Sequence, residues 1–371
     1  MKANVLETLI DVMSDEKPSN FEELHWRDVI RVAKSADVVH RLSQLVLSSD
    51  YKNEIPLRVR NIFESYNRHT QLFHNQVKYE CAQLIKDIQG VKLKKLLFLK
   101  GAAYVIAGSR AATGRVFSDL DVLVDRASLS NVEKRLNLVG WIPMKRDDYD
   151  QNYYRKWAHE IPPLMHNNRK TVLDVHHNII PPVSGRAPDM SKLMASQTVV
   201  DGRFRVLSPA AMFLHSAVHL FFKEEFVFGF RDLSDIYLLA KEQENSAGFW
   251  SELEILSNEF DFDREVYLAL RYLNLIMDWE QAKKFEKAFE GGKPSAISTK
   301  IHDWIFLRIL RPRHKGIRLQ GTGFAYFLGF IRGHLKKMSI GILIYHIFGK
   351  SISNCKYWLT GQKRRGDLLQ K

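Results

Sequence analysis

The chain has 371 residues, 45% of them hydrophobic and 26% charged, enough to bury a sizeable core in two or three structural units, which excludes a disordered or fibrous chain. Cys81 and Cys355 are the only cysteines and form no Cys-x-x-Cys spacing, which argues against a disulfide framework or structural zinc. The formal net charge of +13 resides wholly in residues 308–371, where fourteen Lys or Arg face the single acid Asp367.

Met1 to Ile10 carries the acid Glu7 where a cleavable signal would be basic and apolar, so the chain is expected in the cytoplasm. The first ninety residues read as helical, with apolar residues at three and four spacing over Asn4 to Met13, Asn20 to Trp26 and Asp37 to Ser48. Pro56 opens a long helical pattern that runs to Ile88 and stops at Gly90.

Lys95 to Leu99 then reads as a buried strand, followed by a turn at Gly101 and a helix over Ala102 to Ala107. A strand, a glycine and a helix start make an anion seat from backbone N–H groups and the helix dipole. The small basic loop Gly108 to Arg115 follows, and Arg110 and Arg115 in it suit phosphate oxygens as forked donors.

The run Ser118 to Val124 reads as a buried strand, yet it holds Asp119 and Asp121. Residues i and i+2 of a strand share a face. Two like charges there raise one pKa sharply unless a cation lies between them, and a divalent metal is the usual answer. Asp125 reads as an end-of-strand residue before a helix from Ser128 to Val139, ended by Gly140. Further strands are expected near Asn152 to Trp157 and over Thr171 to His176. The latter carries Asp174 in its middle. If it lies beside the first acidic strand, three carboxylates can hold Mg²⁺ and leave coordination positions for phosphates, the layout of two-metal phosphoryl chemistry. His176 and His177 read either as neighbours of that metal site or as packing residues.

Ser208 and Pro209 form a helix start, with Ser208 as N-cap and Pro209 at the first helical position. His215 and His219, four apart, share a face, but with no third ligand nearby they read as one polar helix side. The amphipathic helix Phe230 to Leu239 offers Arg231, Asp232 and Asp235 for ion pairs with His219 that order the helical half, or for direct contact with a base or acceptor. Helices continue to residue 290, and Gly291 to Ser295 is the clearest linker.

Residues 308–371 alternate basic clusters (308–318, 332–337) with apolar runs (323–331, 338–348). Neither apolar run approaches the ~20 residues that cross a bilayer. The tail therefore suits peripheral contact with an anionic membrane surface, with aromatics inserted and cations at the headgroups. Packing on the helical half fits equally well, and binding of single-stranded nucleic acid less so.

Leu99-Lys100-Gly101-Ala102, Gly114-Arg115, Asp119-Leu120-Asp121-Val122-Leu123-Val124 and Leu173-Asp174-Val175-His176 together resemble an uncharacterised bacterial nucleotidyltransferase-like family of the DNA polymerase beta-like superfamily. The resemblance covers roughly residues 90–240. It implies an α+β fold with a small mixed-sheet nucleotidyltransferase core over 91–200, between helical regions at 1–90 and 201–307 and ahead of the tail at 308–371. It also implies Mg²⁺-dependent transfer of a nucleoside monophosphate from an NTP to an unknown acceptor, often in polysaccharide or peptide biosynthesis. Asp119, Asp121 and Asp174 would be the metal-binding catalytic residues holding two ions, with Lys100, Gly101, Arg110 and Arg115 at the triphosphate. The superfamily's Gly-Ser or Gly-Gly turn is replaced here by Lys100-Gly101-Ala102, which removes a hydroxyl. A silent nucleotide-binding module that docks a biosynthetic complex at the membrane stays open as the second reading. A kinase of the aminoglycoside type is disfavoured, because no His-x-Asp occurs.

Overall fold

Helices come first, as their apolar spacing requires. The computed structural model describes residues 2–144 and 148–344. Four helices precede the sheet: α1 (Lys2–Met13), α2 (Glu23–Ser35), α3 (Val39–Ser48) and α4 (Leu57–Asp87). α4 starts after Pro56 and buries Val59, Phe63, Val77, Cys81 and Leu84 at three and four spacing.

One seven-stranded mixed sheet follows among the described residues. Its strands are β1 (Leu96–Phe98), β2 (Asp119–Val124), β3 (Trp141–Pro143), β4 (Leu164–His166), β5 (Val172–His176), β6 (Gln197–Val200) and β7 (Phe204–Leu207), in the order β3-β4-β5-β2-β1-β7-β6. β2 runs parallel to β5 and β1 parallel to β7, while the other neighbours are antiparallel. β2 is central and buried almost throughout, as its β-branched and aliphatic composition requires. The connections carry α5 (Lys100–Ala107), α6 (Leu129–Leu138), α7 (Asp148–Trp157) and the short α8 (Met190–Leu193).

Helices then return: α9 (Pro209–Phe222), α10 (Gly229–Glu242), α11 (Ala247–Glu259), α12 (Asp263–Met277), α13 (Ala282–Glu286), α14 (Ala296–Ile309) and α15 (Thr322–Lys337). The whole is α+β. Ser208 caps α9 as expected, accepting from the Ala211 N–H at 3.2 Å. Asp125 closes the turn after β2 by accepting from Ser128 N and Oγ.

Three expectations need correction, and one hairpin had not been expected. Asn152 to Trp157 belongs to helix α7, where Gln151 and Arg155 bond at 3.2 Å and the Tyr153 and Trp157 rings lie 5.9 Å apart. Both pairs are four residues apart, a contact only a helix makes. The β6–β7 hairpin went unread, although Asp201 and Gly202 in its loop both take positive φ, a turn signal in Asp-Gly. Gly291 to Ser295 is no free linker: Gly292 is buried where a Cβ would stand 2.3 Å from the Asp263 backbone, and Ser295 caps α14. His215 is buried on a helix apolar nearly all round, so it forms no polar outer face.

α15 packs on the helical half. Gly333 lies against the backbone of Lys223 and Glu224 with no room for a side chain, and Lys336 pairs with the fully buried Glu265. Residues 345–371, the rest of the expected tail with Cys355, lie outside the described residues. No helix among the described residues is long and apolar enough to cross a membrane.

A buried ion-pair network joins the N-terminal helices to the C-terminal ones. Arg41 of α3 donates to Asp235 of α10 at 2.6 Å and to the carbonyls of Ala111 and Thr113 at 2.8 and 3.0 Å. Arg115 donates to the second Asp235 oxygen at 2.9 Å. Gly114, at φ 59°, lets the loop lie directly on the Arg41 backbone. Removing one member of such a network strands the others. Asp235→Ala is therefore expected to lower the unfolding free energy by about 3–5 kcal/mol, measured by chemical denaturation. A loss below about 1 kcal/mol, the range of exposed pairs, would show that the network does not hold the halves together.

Candidate active site

The parallel pairing of β2 with β5 sets Asp121 directly beside Asp174, with Asp119 opposite Val172 two residues away on the same face. Asp121 and Asp174 therefore stand side by side, while Asp119 lies one step along the same face, outside the group whose ligand atoms come within 4.8 Å of one another. On the other side of β2, antiparallel β1 ends at Phe98, and the Leu99 N–H donates to the Asp121 carbonyl at 2.9 Å. Lys100 comes next, at φ 48°, a left-handed conformation costly for a residue with a Cβ. Its ammonium lies 2.6 Å from Asp121 Oδ1.

The two abreast carboxylates divide the electrostatic cost. Burial pushes Asp121 up, but Lys100 and then His176, whose Nε2 is 2.8 Å away, outweigh it and hold the carboxyl well below the usual range. Burial also works against the Lys100 ammonium, and Asp121 outweighs it, keeping the lysine firmly charged. Asp174 has no such partner. Burial, then Glu160, Asp121 and Asp119, push it up to about 9. Its Oδ1 is buried without a hydrogen-bond partner.

Asp121, Asp174 and His176 offer ligand atoms within 4.8 Å of one another. An orphaned carboxylate oxygen beside further oxygens fits a hard divalent cation.

A cleft of about 260 Å³ opens beside this cluster. Lys100, Gly101, Tyr104, Arg115, Asp119 and Asp121 line one wall, and Ser216, His219, Phe228, Arg231, Asp232 and Asp235 line the other. The walls touch through Tyr104 and Ser216, whose hydroxyls are 2.7 Å apart. Gly101 has no Cβ, and the Phe117 ring packs 2.4 Å from where one would stand. A larger cavity of about 580 Å³ near Arg126, His177 and Pro188 includes none of the three aspartates.

Of the expected phosphate ligands, Lys100, Gly101 and Arg115 line the cleft and Arg110 does not. Arg110 pairs with Asp15, and its backbone N–H meets Glu242. Arg115 uses Nε on Asp235 and Nη1 on the Val116 carbonyl, so it supplies charge to the cleft more than a free fork. Arg231 pairs with Asp37 at 2.6 Å and Asp232 at 3.1 Å, and stacks over Phe228 at 4.6 Å. Lys223 also pairs with Asp232. Burial lowers the pKa of both His215 and His219, so both imidazoles are neutral. Sequence reasoning missed Glu160, His159 and Phe228, which carry no motif of their own.

Folding raises the pKa of Asp174, so its stabilising contribution is complete below about 4, the free aspartate value, and is lost as pH rises through about 9. Asp174→Asn stays neutral throughout. Without divalent cations, its melting temperature should gain steadily on that of the unaltered protein between pH 5 and pH 9, as read by calorimetry. A difference that stays flat across this window would refute the assignment.

Searches of curated proteins and of solved structures returned no match. The model of an uncharacterised nucleotidyltransferase family matches residues 22–278, a span that takes in all three aspartates, the Lys-Gly turn and both walls of the cleft. The chain belongs to this nucleotidyltransferase family.

Proposed function

We propose that the protein transfers a nucleoside monophosphate from an NTP to an acceptor hydroxyl or amine. The observation that carries this reading is the pairing of Asp121 beside Asp174, with Asp119 on the same face, at the edge of a cleft whose walls also carry Lys100, Arg115 and Arg231. Asp119, Asp121 and Asp174 would hold Mg²⁺, two ions in the proposed arrangement, which when bound lowers the pKa of an attacking group and neutralises triphosphate charge. The chain's own groups do the rest. Lys100 and Arg115 offer positive charge to the phosphates, and the start of α5 at Gly101 offers N–H groups. Phe228, 40% exposed at the cleft under Arg231, offers a stacking face for a base. Attack of the acceptor on the α-phosphorus forms one P–O or P–N bond, breaks the bond to the β-phosphate oxygen and releases pyrophosphate, while the acceptor proton leaves to base or solvent.

One observation favours the silent nucleotide-binding module instead: the Lys100 ammonium already neutralises Asp121. Calorimetry with NTP and Mg²⁺ would register binding in either case, whereas label transfer separates the two. With α-labelled NTPs and cell extract as the acceptor source, the unaltered protein is expected to label an acceptor, and Asp121→Asn to lose at least about a hundredfold, the scale of one transition-state electrostatic contact. Equal labelling by the variant, with unchanged folding by circular dichroism, would sink the transferase reading.

The helices before and within the tail add a proposed peripheral contact with an anionic membrane. Ile297, Ile301 and Trp304 of α14 and Phe324, Phe327 and Ile331 of α15 are all exposed, Phe324 to 58% and Ile297 to 75%, and the Trp304 and Phe324 rings lie 6.0 Å apart. Arg308 lies over the Trp304 ring at 4.3 Å and Arg313 over Tyr326 of α15 at 5.3 Å, and residues 308–344 contain no acid. An apolar aromatic stripe rimmed by cations matches a surface of anionic headgroups over acyl chains. The full chain should sediment with vesicles containing phosphatidylglycerol, less so in high salt, and not with pure phosphatidylcholine. Trp304→Ala combined with Phe324→Asp and Phe327→Asp should abolish sedimentation. Equal retention by neutral vesicles, or by the triple variant, would refute the contact.

A further inference from the structure

Behind the aspartate cluster lies a second group of ligands of different chemistry. After α7 the chain runs antiparallel to the end of β5: Glu160 bridges to His176, the Ile161 N–H donates to the Val175 carbonyl at 3.1 Å, and the His177 N–H donates to the His159 carbonyl at 2.8 Å. This pairing draws His159 and Glu160 over His176. The His159 and His176 rings lie 5.3 Å apart and tilted by 33°, and Glu160 Oε2 is 3.2 Å from His176 Nδ1. The three residues present ligand atoms that all lie within 4.8 Å of one another.

Two atoms here are unexplained by the protein. His159 Nδ1 and Asp174 Oδ1 are both buried without a hydrogen-bond partner. A buried polar atom left unpaired costs about 1–3 kcal/mol, and native structures rarely tolerate it without an ion or water present. His159 as a residue is half-buried, but its orphaned Nδ1 is on the covered side of the ring. Glu160 supplies the carboxylate of this group, while the two lysines whose charge reaches His159 are each committed elsewhere, Lys100 to Asp121 and Lys337 to Glu224.

We infer that His159, Glu160 and His176 form a binding site for a divalent transition-metal ion, distinct from the oxygen-only Mg²⁺ site proposed at Asp119, Asp121 and Asp174. Two imidazoles and one carboxylate are the donor set of Zn²⁺, Co²⁺ and related ions, whereas Mg²⁺ takes oxygen ligands at near-octahedral geometry. His176 belongs to both ligand groups and so links the two sites. The site stands independently of the transfer reading, since it asks for no nucleotide.

The test is a titration of the metal-free, full-length protein with Co²⁺ alone, followed by visible absorption and calorimetry. Proton NMR of the same samples reports whether ring protons of two histidines become paramagnetically shifted. One tightly bound Co²⁺ with two shifted imidazoles is expected in the unaltered protein, a readout that needs no variant. His159→Asn and Glu160→Gln, each checked by thermal melting, should weaken it about tenfold or more. Asp119→Asn should leave it in place, although that change should harm the proposed transfer. Absence of shifted imidazoles would overturn the inference, with buried water then filling the space. Loss of the ion in Asp119→Asn with retention in Glu160→Gln would overturn it equally, since the ion would then sit on the aspartates.

Discussion

Two carboxylates held abreast on neighbouring parallel strands are a constraint that the surrounding structure must answer. The register that pairs Asp121 with Asp174 is fixed by five consecutive residue pairs along β2 and β5, so neither side chain can leave without slipping a strand and turning its apolar faces outward. The answer is asymmetric. Asp121 receives Lys100 from the turn after β1 and His176 from β5, while Asp174 keeps an unpartnered oxygen and is driven toward its neutral form. A site divided in this way has one carboxylate ready as a charged ligand and one that gains most when a cation arrives.

That asymmetry explains the left-handed Lys100. A lysine at φ 48° is less comfortable than a glycine would be, yet the turn brings its ammonium to Asp121 from the strand next door. The strain is local, and the ion pair offsets it. The same turn leads into α5, so the element that neutralises the aspartate also opens the helix whose Gly101 and Tyr104 line the cleft. One short segment thereby serves both carboxylate and anion.

The opposite wall depends on a separate buried network. Arg41, Arg115 and Asp235 lock α3, the loop before β2 and α10 to one another, so Phe228, Arg231 and Asp232 are held at a fixed distance from the aspartates. This arrangement was only partly legible in sequence. The acids of β2 and β5 could be read because a period of two puts residues on one face, and carboxylates in β-branched runs are conspicuous. Arg41 lies nearly two hundred residues from Asp235 and carries no local signal, and neither do His159 and Glu160, whose importance arises only when they pair against β5. Asn152 to Trp157 was misread because its aromatics suit a strand equally well, and its helical contacts at i and i+4 involve polar and aromatic pairs that periodicity of apolar residues does not detect.

The tail bears on the cleft through packed groups. Gly333 lets α15 press against the Lys223–Glu224 turn, where Lys337 pairs with Glu224 and Lys223 reaches Asp232 in the cleft wall. The outer side of the same helix carries the exposed Phe324 and Phe327. A force on that outer face therefore meets the cleft after one helix and one ion pair. Contiguity of this kind transmits coupling only if the turn has two arrangements, and a turn tied at both ends by ion pairs is stiff in the one described. The simplest consequence is orientation: a surface that holds α15 by its aromatic side also fixes which way the cleft faces.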